Sequence, residues 1–129
     1  MSKQQILQTA AYLMVSDIHA AVKYYTEKLG FKPDQLWDDP PTFVMPRRDN
    51  QITMLKEVPN NGQVITNHEN AGAWDAYFWI ADADSLYAEF TANGAEIAHK
   101  PYNTGYGIRE FWVRDQDGHI LAFGQNIES

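Results

Sequence analysis

Apolar positions along the chain follow two rhythms, and the switch between them occurs at matching places in each half. Ala11-Tyr12-Leu13-Met14-Val15 is apolar and β-prone up to Ser16-Asp17. From Ile18 the spacing lengthens, and Ile18, Ala21, Val22, Tyr25 and Leu29 form one stripe that stops at Gly30. The pattern predicts a strand followed by an amphipathic helix over 18–29, with Asp17, or else Ser16, as its N-cap and the glycine as its stop. Sixty-five positions later the same order returns: Ala76 to Ala81 is apolar, Asp82 ends the run, and a helix over 84–92 is predicted before Asn93-Gly94.

Three extended segments follow each helix. They are predicted over 31–37, 42–47 and 51–56 in the first half, and over 95–100, 107–114 and 119–125 in the second. Pro-rich and Asp-Asn turns separate the first set, and Asp115-Gln116-Asp117-Gly118 joins the last pair of the second. Both halves therefore read βαβββ, as module 1 over about 8–57 and module 2 over about 74–126, within one domain spanning 1–129. Between them, 58–73 is Asn/Gly-rich and reads as a linker, with His68 and Glu69 in solvent. One helix covers only one face of a four-stranded sheet, so the expected fold is α+β: two tandem modules forming an open, curved, eight-stranded cup.

Composition narrows the chemistry. With 129 residues, 44% of them hydrophobic, the chain has material for one ordinary core. No cysteine is present, which removes disulfides, thiolate metal sites and cysteine nucleophiles. A formal charge of −7 repels phosphate backbones and favours cations, so nucleic acid is not an expected partner. No run reaches the roughly 20 apolar residues of a membrane span, and Met1 to Thr9 lacks a signal-like apolar core, so no membrane is expected and a cytoplasmic location is.

Three segments give this grammar a family likeness: Val15-Ser16-Asp17 through Tyr24-Tyr25 to Leu29-Gly30-Phe31, then 84–90 with Asn93-Gly94-Ala95, and finally Gly107 through Gly118. In order and repetition they resemble the vicinal oxygen chelate superfamily of glyoxalases, extradiol dioxygenases, fosfomycin resistance enzymes and bleomycin resistance proteins. Within it the chain is most similar to the bleomycin-resistance branch, through Leu36-Trp37-Asp38-Asp39, Arg47-Arg48-Asp49 and Leu86-Tyr87-Ala88-Glu89. The likeness implies a homodimer with ligand clefts between subunits and an acidic loop at Asp38-Asp39 near the groove.

Metal enzymes of that superfamily set four His, Gln or Glu ligands on the inner face of the first and last strands. Here the corresponding positions are Ala10, Met54, Asp75 and Ala122. Alanine has no donor atom and a thioether is a poor ligand for a hard or borderline divalent ion, so no metal and no cofactor is expected. The histidines His19, His68, His99 and His119 are read as structural or solvated.

Period-two alternation anchored on those positions turns Tyr12, Met14, Met54, Asp75, Tyr77, Trp79, Glu110, Trp112, Ile120 and Ala122 inward as well. Trp37 and Phe43 are placed at the rim. The candidate ligand-binding set is Tyr12, Trp37, Asp38, Phe43, Met54, Asp75, Tyr77, Trp79, Tyr102, Tyr106, Glu110 and Trp112, with no catalytic residue among them. For each ring the plainer reading is core packing, for Asp75 a strand-start carboxylate, and for Glu110 an ion pair with Arg109. Rings beside acids suit a flat or cationic small molecule. The expected function is metal-free sequestration of an antibiotic-like compound, as in antibiotic resistance; the alternative is a divergent metal-dependent lyase, isomerase or dioxygenase, and a third possibility is a structural partner.

Overall fold

The computed structural model describes residues 3–37, 41–59 and 62–128, with the side chains of 34–37 outside the description. Module 1 runs β1 (Tyr12–Val15), α1 (Ile18–Glu27), β2 (Lys32–Trp37), β3 (Phe43–Arg48), β4 (Gln51–Ile52) and β5 (Met54–Glu57). Module 2 runs β6 (Ala76–Trp79), α3 (Ala83–Ala92), β7 (Glu96–Asn103), β8 (Ile108–Arg114) and β9 (Ile120–Asn126). One open sheet has the order β1-β5-β3-β2 with β4 on β3, and the other β6-β9-β8-β7. The expected third segment of module 1 is thus split at Thr53, where β4 hands over to β5.

The internal repeat extends to individual bonds. Each first strand lies parallel to its module's last one, Tyr12 opposite Met54 and Tyr77 opposite Ala122. Asp17 caps α1 by accepting from the His19 and Ala20 amides at 2.9 and 3.2 Å, and Asp82 caps α3 by accepting from Ser85 at 3.1 Å. A polar side chain at the end of each last strand also takes a free amide of the first helical turn: Glu57 from Ile18 at 2.9 Å, and Gln125 from Ala83 at 2.7 Å.

Helix α1 is shorter than the stripe predicts. Lys28 donates to the Tyr24 carbonyl and Phe31 to that of Tyr25, while Gly30 turns left-handed at φ 75°, a Schellman-type close that leaves Leu29 buried beyond the last turn. Asp49 and Asn50, at φ 51° and 65°, make the two-residue hairpin turn between Arg48 and Gln51. The linker departs from expectation: it contains a one-turn helix, α2 (Asn67–Ala71), capped by Thr66 and ended by Gly72 in the left-handed region. Among the described residues no helix is long and apolar enough to cross a membrane.

A single core unites the modules. Leu13, Val15, Val44 and Leu55 of the first sheet, Tyr25 of α1 with Leu29 just beyond it, and Phe90, Phe111, Val113, Leu121 and Phe123 of module 2 belong to one buried cluster. Phe111 and Phe123 stack at 5.2 Å, Phe90 meets both edge-on, and Phe31 reaches Phe78 across the junction at 6.5 Å. Arg48 adds a bidentate pair to Glu89 of α3 at 2.7 and 2.9 Å and donates to the Leu29 carbonyl at 2.7 Å. The modules thus pack with their helix-bearing faces together. Residues that alternate with the core residues along each strand face away from it, on the two outer sides of the molecule.

Candidate functional site

The outer face of the β6-β9-β8-β7 sheet carries a buried acid beneath a field of rings. Glu110 sits mid-strand in β8, is 0% exposed, and points away from the core because Phe111 and Val113 take the core-facing positions with which it alternates. No cation touches its side-chain oxygens in any bond described. Instead Oε1 accepts from the hydroxyls of Tyr77 at 2.9 Å and Tyr106 at 3.1 Å, and Oε2 accepts from the Tyr102 hydroxyl at 3.0 Å and the Trp112 indole N–H at 2.8 Å. A carboxylate has about four in-plane acceptor positions, and all are taken.

Three of those donors are phenols, and the acid alters them. Burial, reinforced by the hydrogen bond to Glu110 and its charge, pushes the Tyr102 hydroxyl up to about 12. The same causes, in the same order, raise Tyr77 and Tyr106. Each phenol therefore keeps its proton and stays a donor across the physiological range.

Strand order and register explain the convergence. Trp112 and Tyr77 both stand opposite Ala122, and Glu110 stands opposite Gly124. Gly124 is required by contact rather than by backbone angle: a Cβ there would meet the Tyr77 hydroxyl, with Tyr77 Cζ and Ile108 Cγ2 each at 2.8 Å. Gly124→Ala is expected to push Tyr77 off Glu110 and cost about 1–3 kcal/mol by overpacking. A urea midpoint unchanged from wild type would show that the ring swings aside freely.

Further rings widen the field. Trp74 lies 4.9 Å from Tyr77 and 6.2 Å from Trp112, Trp79 lies 5.1 Å from Tyr77, and His99 lies 4.3 Å from Tyr102 and 5.0 Å from Trp112. Trp79 is 70% exposed, Tyr106 59% and Trp74 37%, so ring faces are presented to the outside rather than consumed by packing.

Of the residues proposed from the sequence, Tyr77, Trp79, Tyr102, Tyr106, Glu110 and Trp112 come together here. Tyr12, Phe43 and Met54 do not join them: they form a separate group on the outer face of the other sheet, with Tyr12 and Phe43 stacked at 6.0 Å and Met54 opposite Tyr12. Asp38 lies outside the described residues, as does the side chain of Trp37. Asp75 has the strand-start role: its oxygens accept the amides of Asn67 at 2.7 Å and Ile120 at 2.8 Å, fastening the linker to β9. The Glu110–Arg109 pairing is corrected, since successive strand residues point to opposite faces and Arg109 instead binds Asp84 at 2.9 Å and Asn103 at 3.0 Å.

Two members were missed. His99 is exposed, as the solvated reading has it, but its ring also lies tilted beside Tyr102 and Trp112; the register of β7 slips on both sides of it, which defeats parity counting. Trp74 precedes its strand, and only its aromatic character beside Asp75 hinted at a role.

The positions at which the superfamily's metal ligands stand do not fit an ion. Ala122 is buried and without a donor, Met54 offers a thioether, and both oxygens of Asp75 are engaged by backbone amides. Among the described residues no three His, Cys, Asp or Glu side chains gather as a metal group. A cleft of about 410 Å³ lies elsewhere, at the module junction between Arg48–Glu89 and the core rings Phe78, Phe90 and Phe123, with Trp79 on its rim. Its floor is core, and Arg48 and Glu89 in its wall pair with each other. The convergence of four donors on one acid marks the outer face as the better site despite its openness.

A fold of paired βαβββ modules with a ring-lined outer sheet face defines the class. The family model for the Glyoxalase/Bleomycin resistance protein/Dioxygenase superfamily matches residues 5–123, and the chain belongs to that superfamily. Its structure is similar to that of TioX from Micromonospora sp. ML1, with a TM-score of 0.75 at 20% identity over 93% of this chain and 98% of that one. It is also similar to the bleomycin-binding protein from bleomycin-producing Streptomyces verticillus, solved with copper(II)-bleomycin: TM-score 0.69, 22% identity, 94% and 97% covered. A glyoxalase-related enzyme from Clostridium phytofermentans gives a TM-score of 0.75 at 20% identity, with 96% and 98% covered. At these identities the likeness is one of fold. No curated protein matches the chain by sequence.

Proposed function

We propose that this protein is a metal-free binder that sequesters an aromatic or cationic, antibiotic-like molecule against the Glu110 face, and that it does so in the cytoplasm as a homodimer. The observation that carries the reading is a buried acid held by four neutral donors beneath exposed rings. Such an arrangement sets a fully hydrogen-bonded carboxyl group under ring faces without offering a nucleophile or a free base. It attracts and holds; it does not turn over.

Dimerisation completes the cleft in this reading. Tyr12, at 56% exposure, with Phe43 and Met54 makes an apolar outer face on the first sheet, and Trp79 and Tyr106 make one on the second. A second copy that sets its first-sheet face over the Glu110 face covers both and encloses the ligand. One structural relative holds copper(II)-bleomycin, which supports a drug-like ligand class.

The test is a thermal-shift screen of glycopeptides, dyes and aromatic amines, with light scattering for mass. A ligand present at 100 times its Kd should add about 2.7 kcal/mol of stability, a rise of several degrees for a chain of this size. A flat response across the screen counts against capture. A stoichiometric Ni, Zn, Fe or Mn signal in protein purified without chelator would favour the metal-dependent lyase, isomerase or dioxygenase alternative.

A further inference from the structure

We infer that the ligand's recognised group is a fixed organic cation without N–H donors, a quaternary ammonium or N-alkylated aromatic cation, rather than a protonated amine. The inference rests on the reading above and narrows its ligand class. It follows from the state of Glu110, whose two oxygens already accept four hydrogen bonds at 2.8–3.1 Å and which has no exposed surface. A primary ammonium needs acceptors for three N–H groups when it leaves water. The Glu110 oxygens offer it no vacancy, and ring faces replace those bonds poorly.

A quaternary ammonium makes no such demand. Its charge is spread over methyl groups, its hydration is weak, and ring faces are its natural contacts. The acid strengthens those contacts at one remove, because a phenol or indole that donates to a carboxylate becomes richer in electrons on its face. Trp79, Tyr106 and Trp74 keep faces exposed to such a group, while Tyr77 and Trp112 link them to the acid. The overall charge of −7 adds long-range attraction and excludes anions.

Three benzyl probes separate the possibilities: benzyltrimethylammonium, the smaller benzylammonium with its three N–H donors, and neopentylbenzene as the neutral carbon isostere of the first. Titrated into the full chain and followed by tryptophan fluorescence, the quaternary probe should bind at least about 10-fold tighter than either of the others, in line with a desolvated cation over several rings. Trp79→Leu, at an exposed position, should weaken the quaternary probe by roughly 2- to 30-fold, the range of one cation–ring contact. Tyr106→Phe removes the most exposed donor to Glu110 and frees an acceptor position, so benzylammonium should gain on the quaternary probe. Glu110→Gln, if it folds, should bring the quaternary and neutral probes together.

Equal or tighter binding of benzylammonium to wild type overturns the inference while leaving aromatic-cation capture standing. Equal binding of the neutral isostere reduces the face to a plain apolar surface and overturns it too. Failure of all three probes, alongside a positive antibiotic-like hit in the thermal screen, also rejects the fixed-cation class but not capture. Failure of both experiments rejects the two together.

Discussion

Glu110→Ala is expected to lower folding stability by about 3–5 kcal/mol, the largest effect of any single change on the outer face. The carboxylate is the common acceptor for Tyr77, Tyr102, Tyr106 and Trp112, and its removal leaves four donors facing a void. Hydrogen bonds to a charged group are worth about 1.5–3 kcal/mol each, but the four share one anchor and do not add. Tyr106 is largely exposed and recovers a water partner at little cost, whereas Glu110 has no exposure, so water cannot reach all of the vacated positions without rearrangement. Glu110→Gln keeps the volume but turns an N–H group towards phenols that also donate, and should cost about 1–3 kcal/mol. Urea unfolding of both variants ranks them. An alanine variant within 1 kcal/mol of wild type would mean that the phenols re-solvate freely and that the cluster is a surface feature, which would also weaken the ligand reading.

How much of this was visible beforehand depends on where parity holds. Along β6, β8 and β9 the alternation is unbroken, so Tyr77, Glu110, Trp112 and Ala122 could be placed on one face from the sequence, and the register sets them there together. The repeat was equally legible, since Asp17 and Asp82 end matching strands and cap matching helices. Parity fails at β7, where two register shifts flank His99 and bring His99 and Tyr102 to the same cluster. Nor could alternation reveal which faces meet. Turning both helix-bearing faces into one core is a tertiary choice, expressed in Phe31 against Phe78 and Arg48 against Glu89, and it sends Tyr12, Phe43 and Met54 to a different side from Glu110. Pairings such as Arg109 with Asp84 span 25 residues and follow from that packing rather than from local pattern.

A buried polar tie between the modules lies in a segment that the sequence presents only as a turn, and Asp115→Ala is expected to cost about 3–5 kcal/mol. Asp115, at 4% exposure, accepts from the Tyr25 hydroxyl of α1 at 2.8 Å, from the amides of Asp117 and His119 at 3.0 and 2.9 Å, and pairs with His119 Nδ1 at 2.8 Å. Its loss strands several buried donors at once, and breaking a buried pair by deleting one partner typically costs this much. Tyr25→Phe removes only Asp115's bond to module 1 and should cost about 1.5–3 kcal/mol. The pair also sets a pH dependence. Burial lowers the His119 imidazole's hold on its proton, but the hydrogen bond and charge of Asp115, with smaller help from Asp75 and Asp117, outweigh it, and the net shift is upward from 6.5. A histidine whose folded value lies above its unfolded one stabilises the fold fully below the unfolded value, and that contribution fades as pH rises through the folded one. Wild type should therefore lose stability above pH 6.5, and Asp115→Ala should lose less over the same interval because the cause of the upward shift is gone. Urea midpoints taken from pH 6 to pH 9 decide it: parallel curves for the two proteins would place the pH dependence elsewhere and leave the Asp115–His119 pair a neutral hydrogen bond.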